Sequence, residues 1–230
     1  MTQNENTQKN DRREFLGTLA VGAASLGLSA LAPLTAAASP EYFEMANDAD
    51  AWFEKVKGKH RVVYDVPKPH DLMPFIWPRV FMMTNVATGT PETDLGVVVV
   101  LRHDAIGYAM DSKLWEKYKF GEVFKANDPK TNAPSTRNPF QNPAAGDFSA
   151  PGIGPVKIGI NELQASGVMF CVCDAALTVY SAALAGATGD AAAVKKEWIA
   201  GLLPGIQVVP SGVWALGRAQ EKKCAYIFAG

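Results

Sequence analysis

The stretch "LGVVVVLRHD", Leu95 to Asp104, decides the fold. Four consecutive valines leave no polar alternation for a strand with one wet face. Continuous β-branched runs fit strands covered on both faces, and these belong to parallel sheets sandwiched by helices. The run then stops at Arg102-His103-Asp104, so its carboxyl end carries polar chemistry.

Outward from this strand the same alternation repeats. Upstream, "HRVVYDV" (His60 to Val66) reads as a first strand. "PRVFMMTNVATG" (Pro78 to Gly89) reads as a helix with Pro78 in its first turn, where a missing N–H costs least. Pro74 and Pro78 are expected to interrupt anything longer. Downstream, a helical stretch from about Ala105 to Tyr118 precedes a long loop. "IGINELQASG" gives a short helix stopped by Gly167, and "VMFCVC" a third buried strand. "DAALTVYSAALAG" is a helix with Asp174 as its expected cap, and Asp190 caps "AAAVKKEWIAGLL". "IQVVP" is a strand, "SGVWALGRAQEKK" a helix capped by Ser211, and "AYIFA" the last strand. Strands joined by helices require crossovers, so the expected fold is α/β: a three-layer α/β/α sandwich around a mostly parallel sheet of about five strands.

Two segments stand apart. Residues 1–38 hold Arg12-Arg13 in "DRREFLG", then a small-residue apolar stretch ending in Ala36-Ala37-Ala38. This resembles a twin-arginine export signal, which implies cleavage before Ser39, a periplasmic protein and no stable membrane insertion. A retained anchor is the alternative. Residues 39–58 then form a linker with a short amphipathic piece, and 59–230 the α/β domain.

The second segment, residues 121–156, has six prolines, four asparagines and no leucine. It is either disordered or a loop packed down by Phe124, Phe140 and Phe148.

The leader carries three basic and three acidic residues, so the net charge of −1 holds with or without it. Such a balance gives no nucleic-acid footprint. "CVCD" lacks the haem-attachment spacing, no zinc-type ligand pairs occur, and Gly152 and Gly154 fit neither a dinucleotide nor a phosphate loop. No metal or cofactor is therefore expected.

In open α/β sheets, ligands bind beyond the carboxyl ends of the strands. The polar residues placed there are His103, Asp104, Cys173, Asp174 and Ser211. Cys171 and Cys173 lie two apart on a strand, roughly 6.6 Å at Cα, near the outer limit for a disulfide. Cys171 reads as packing and Cys224 as structural. Cys173 sits where strand becomes helix, so unpaired N–H groups and the positive dipole end favour its thiolate, against the opposing charge of Asp174. His103 is the expected neighbour offsetting that charge. A buried, inert thiol is the competing reading.

Four stretches, "VVVLRHDAIGYAM", "INELQASGVMFCVCDAAL", "LLPGIQVVPSGVWAL" and "RAQEKKCAYIFAG", resemble in order the DsrE/DsrF-like family over residues 59–230. The family usually has His-Gly where this chain has His103-Asp104, and its reactive cysteine falls on Cys173. The resemblance implies a carrier that holds sulfane sulfur as a persulfide and exchanges it with a small sulfur-containing donor or an acceptor protein. It also implies a homo-oligomer, trimer or hexamer. Turnover is not required of a carrier, so enzyme status stays open. The alternative is a non-catalytic periplasmic module for small-ligand binding or assembly, with Cys173 buried.

Overall fold

The alternation of β-branched runs with helical segments becomes one twisted sheet with helices on both faces in the computed structural model. The model describes residues 39–187 and 189–230. The expected export signal, with Arg12 and Arg13, lies outside the described residues. The chain divides into two compact units, Met1–Glu44 and Met45–Gly230. Of the first, residues 39–44 are described; they open helix α1 (Pro40–Phe53).

In the second unit the main strands are β1 (His60–Val66), β2 (Leu95–Leu101), β5 (Met169–Cys173), β6 (Gln207–Val209) and β7 (Ala225–Phe228). They lie in the order β6-β5-β2-β1-β7, and every pairing is parallel. The valine run of β2 occupies the centre, where Val97 to Leu101 are 2% exposed or less. Two apolar layers follow from strand alternation. Val97, Val99 and Leu101 face α2 (Met73–Ala87), α5 (Ile160–Ala165), α6 (Asp174–Ala185) and α7 (Ala191–Ala200). Val98 and Val100 face α8 (Gly212–Glu221) and the end of α1, where Ala49, Trp52 and Phe53 are buried. The architecture is the expected three-layer α/β/α sandwich.

Three local expectations change. Helix α2 starts at Met73 rather than Pro78; Pro74 falls in its first turn and Pro78 lies inside. Burial of Phe75 and Met82 against the sheet outweighs the one backbone bond that Pro78 cannot make. The stretch after β2 is a 3₁₀ turn (His103–Ala109), and the α-helix proper is α3 (Ser112–Tyr118), capped by Asp111. The cap of α6 is Cys173, whose sulfur accepts the Ala176 N–H; Asp174 is the first helical residue.

The segment 121–156 is packed, not disordered. It opens with the end of α4 (Phe120–Val123) and contains the two-residue strands β3 (Ser149–Ala150) and β4 (Gly154–Pro155). Phe124, Phe140 and Phe148 are 2%, 0% and 6% exposed. Phe140 stacks 4.0 Å from Phe75 of α2. Fully buried Asn138 donates to the carbonyls of Tyr108 and Met110, both at 2.8 Å, and accepts the Phe140 N–H at 3.1 Å. A polar side chain satisfied on both sides fastens the loop without an apolar core of its own.

Phe140→Ala is expected to cost about 3–5 kcal/mol of unfolding free energy and to open residues 121–156 to proteolysis. Denaturant titration and limited digestion check this; an unchanged midpoint would mean the loop contributes nothing to the core.

Candidate functional site

The carboxyl ends of the strands gather two groups of polar side chains, one on each side of the sheet. On the α8 side the anchor is Asp65 of β1, 2% exposed. An ionised carboxylate so deep needs a partner. Arg102 provides it in bidentate form, with Nε to Oδ1 at 2.6 Å and Nη2 to Oδ2 at 2.9 Å. Tyr226 of β7 donates its hydroxyl to Oδ2 at 2.8 Å. The bond from Asp65 pushes the Arg102 pKa up; burial opposes this, while the carboxylate's charge and negative charge on Cys173 act the same way as the bond. The Tyr226 phenol is raised as well, first by its bond to Asp65.

Parallel register places Arg102 next to Cys173. Leu101 pairs with Val172, so Arg102 and Cys173 are the next residues on neighbouring strands. Adjacent strands lie about 4.8 Å apart. Cys173 also pairs with Val209 of β6, and the Ala175 N–H bonds the Pro210 carbonyl at 3.2 Å. Ser211, two residues past Val209, caps α8 by accepting the Trp214 N–H at 3.2 Å, as expected.

Cys173 breaks the strand alternation. Cys171 packs on the α8 side of the sheet, but Cys173 joins the cluster on the α6 side. The chain leaves the sheet there, and the sulfur turns to accept the Ala176 N–H at 3.3 Å. Cys173 keeps 6% of its surface, whereas Cys171 has none. Burial raises the Cys171 pKa far above the usual thiol range, and a negative charge on Cys173 would add to the rise. Burial also raises Cys224, against the neighbouring Arg61. All three cysteines are free thiols.

On the α6 side, His103 sits at φ 49, a left-handed conformation unusual outside glycine. Its Nδ1 lies 3.0 Å from Asp104 Oδ1 and 3.4 Å from the Tyr180 hydroxyl. Tyr180 donates to Asp104, and burial first, then that bond, holds its phenol protonated. The expected pairing of His103 with Cys173 does not form: no hydrogen bond or ion pair joins them among the described residues. The 3₁₀ turn sets His103 against Tyr180 of α6. The cation coupled electrostatically to Cys173 is Arg102, one register position away on β2's end.

Asp174, 4% exposed, pairs with Lys195 of α7. Its Oδ1 is 2.7 Å from the ammonium but off the bonding angle; Oδ2, at 2.9 Å, takes the hydrogen bond. The opposing charge expected beside Cys173 is thus matched by a lysine. No cluster of three His, Cys, Asp or Glu side chains able to hold a metal ion occurs among the described residues. No described helix is long and apolar enough to cross a membrane.

Sequence reasoning missed Asp65, Arg102, Tyr226, Tyr180 and Lys195. One signal was present: an aspartate inside "VVYDV", a strand read as buried, requires a cation, and Arg102 is the first one after the neighbouring strand.

The chain matches no protein-family model and no curated protein. Among solved structures it is similar to a protein of unknown function, MTH1491 from Methanobacterium thermoautotrophicum. The two are 17% identical, the match covers 74% of this chain and 98% of that one, and the TM-score is 0.40.

Asp65→Asn is expected to cost about 3 kcal/mol, because it leaves the guanidinium with a neutral partner. Tyr226→Phe should cost only about 1 kcal/mol, the net worth of one hydrogen bond. Equal shifts in the two denaturation midpoints would contradict the ranking. In native protein, Cys171 and Cys224 should resist a thiol reagent such as 5,5′-dithiobis(2-nitrobenzoate) and react only after unfolding.

Proposed function

We propose that this protein is an exported, DsrE/DsrF-like thiol protein that accepts or relays sulfane sulfur as a persulfide on Cys173. The observation that carries this reading is the 3.3 Å contact from the Ala176 N–H to the Cys173 sulfur at the start of a 12-residue helix. Negative charge on that sulfur is stabilised by the amide and the helix dipole. Cys171 and Cys224 have no such setting.

The step balances without a cofactor. The Cys173 thiolate attacks the outer sulfur of a donor such as thiosulfate. A new S–S bond forms, the donor S–S bond breaks, and sulfite leaves with the bonding pair. The persulfide anion occupies the place of the thiolate, so no proton and no external oxidant is consumed. The leader supports a periplasmic setting, and the resemblance supports a trimer or hexamer. Turnover is not needed for the role.

A second reading is favoured by the 6% exposure of Cys173. In it the strand ends bind a small anion without covalent chemistry, and the thiol only caps a helix.

Intact-mass measurement after thiosulfate or polysulfide treatment separates the two. The relay predicts a gain of one sulfur that reductant removes and that Cys173→Ser abolishes. A wild-type protein that gains no mass while still binding the anion in calorimetry would establish the second reading instead.

A further inference from the structure

The guanidinium of Arg102 has five N–H groups, and two are spent on Asp65. The remaining three have no protein acceptor among the described residues. The side chain is 26% exposed, so part of it meets solvent. Its position is heavily determined. Asp65 grips it in two places, Tyr226 holds Asp65, and the Arg102 N–H bonds the Val66 carbonyl at 3.0 Å.

The first turn of α8 closes on the stem of the same side chain. A Cβ on Gly212 would fall 2.5 Å from Arg102 Cβ and 2.7 Å from its Cδ, so only glycine admits this approach. The capping hydroxyl of Ser211 takes the Trp214 N–H, and the Gly212 and Val213 N–H groups precede any acceptor within the helix. A fixed cation with unspent donors therefore stands against the start of α8, one register position from Cys173, whose negative charge it feels.

A purely structural arginine would not need unspent donors one register position from Cys173. Asp65 is neutralised by the pair, yet the pair's open edge lies at the strand end, one position beyond the paired residues Leu101 and Val172. A guanidinium there complements an oxyanion, which it can bind through two parallel N–H groups.

We propose that Arg102 is the anion-binding residue of the site, holding the oxyanion end of a thiosulfonate-type sulfur donor while its sulfane sulfur faces Cys173. This rests on Cys173 being the reacting thiol. The donor class is then an anion whose leaving group is an oxyanion of sulfur, with no need for a neutral polysulfane. Arg102 holds the sulfonyl oxygens before attack and the departing group after it, sulfite from thiosulfate or a sulfinate from a thiosulfonate, and the electron pair leaves with that group.

The test compares alkylation of Cys173 in the folded, full-length protein by iodoacetate and by neutral iodoacetamide, read by peptide mass. The two reagents differ in charge and attack the same sulfur. The wild type should favour iodoacetate relative to a free thiol, and Arg102→Gln should lower the iodoacetate-to-iodoacetamide rate ratio by about tenfold, the scale of one nearby charge at partly screened contact. Arg102→Lys should keep part of the preference.

Arg102→Gln leaves Asp65 buried without its cation, so the double variant Asp65→Asn/Arg102→Gln provides the same readout if the single variant fails to fold. Equal loss of both rates, an unchanged ratio, or a Cys173 inert to both reagents in the folded wild type would overturn the proposal. A charge-selective Cys173 that takes no sulfur from thiosulfate would keep Arg102 as an anion-binding residue but overturn the sulfur donor assigned to it, together with the sulfur-relay reading.

Discussion

The buried carboxylate of Asp65 constrains everything at the carboxyl edge of the sheet. At 2% exposure its oxygens take their hydrogen bonds from Arg102 and Tyr226 rather than from water. Those partners come from β2's end and from β7, the strands on either side of β1. The pair therefore ties three strands together at the level where the chain begins to turn away. Removal of one partner from such a pair costs more than the pair itself contributes, because a charge is left in a poor medium. An apolar pair of the same shape would hold the sheet equally well. Retaining ions at this depth fixes a charged side chain at the end of β2, one register position from Cys173 on β5.

The sheet edge is divided between its two sides, and Cys173 lies on the seam. Alternation along β5 would send its sulfur to the α8 side with Cys171. The departure of the chain into α6 turns it instead towards the helix it caps. Arg102 and the start of α8 approach from one side, and the amides of α6 from the other. Asp174 would oppose an anion in this place, but Lys195 reaches it from α7 at 2.7 Å. The nearby charges are thus arranged as two closed pairs, Asp174 with Lys195 and Asp65 with Arg102.

Much of the fold was legible because burial on both faces writes itself into composition. His60–Val66 and Leu95–Leu101 stand out as runs of β-branched residues, and β5 to β7 follow at helix-length intervals. Ser211 and Asp190 cap helices as their side chains suggest. The errors come from tertiary forces that override local preference. Pro78 lies inside α2 because the sheet rewards burial of Phe75 and Met82. Cysteine is not on the usual roster of caps, so Asp174 took the cap position in the sequence reading. The loop at 121–156 looked sparse because its core is borrowed: Phe140 stacks on Phe75 of α2.

The site was half legible for a related reason. Cys173 and Ser211 are placed by local sequence, since each ends a strand and starts a helix. Asp65 and Arg102 are 37 positions apart and meet only through parallel pairing of β1 with β2. Register decides that meeting: Asp65 pairs with Val100, so Arg102 stands two residues beyond it on the same face. His103, one residue further, must point to the other face. Its φ of 49 turns it towards Asp104 and Tyr180. One step along the chain thus separates a cation held on the Asp65 face from an imidazole on the Tyr180 face, the face to which the Cys173 sulfur also turns.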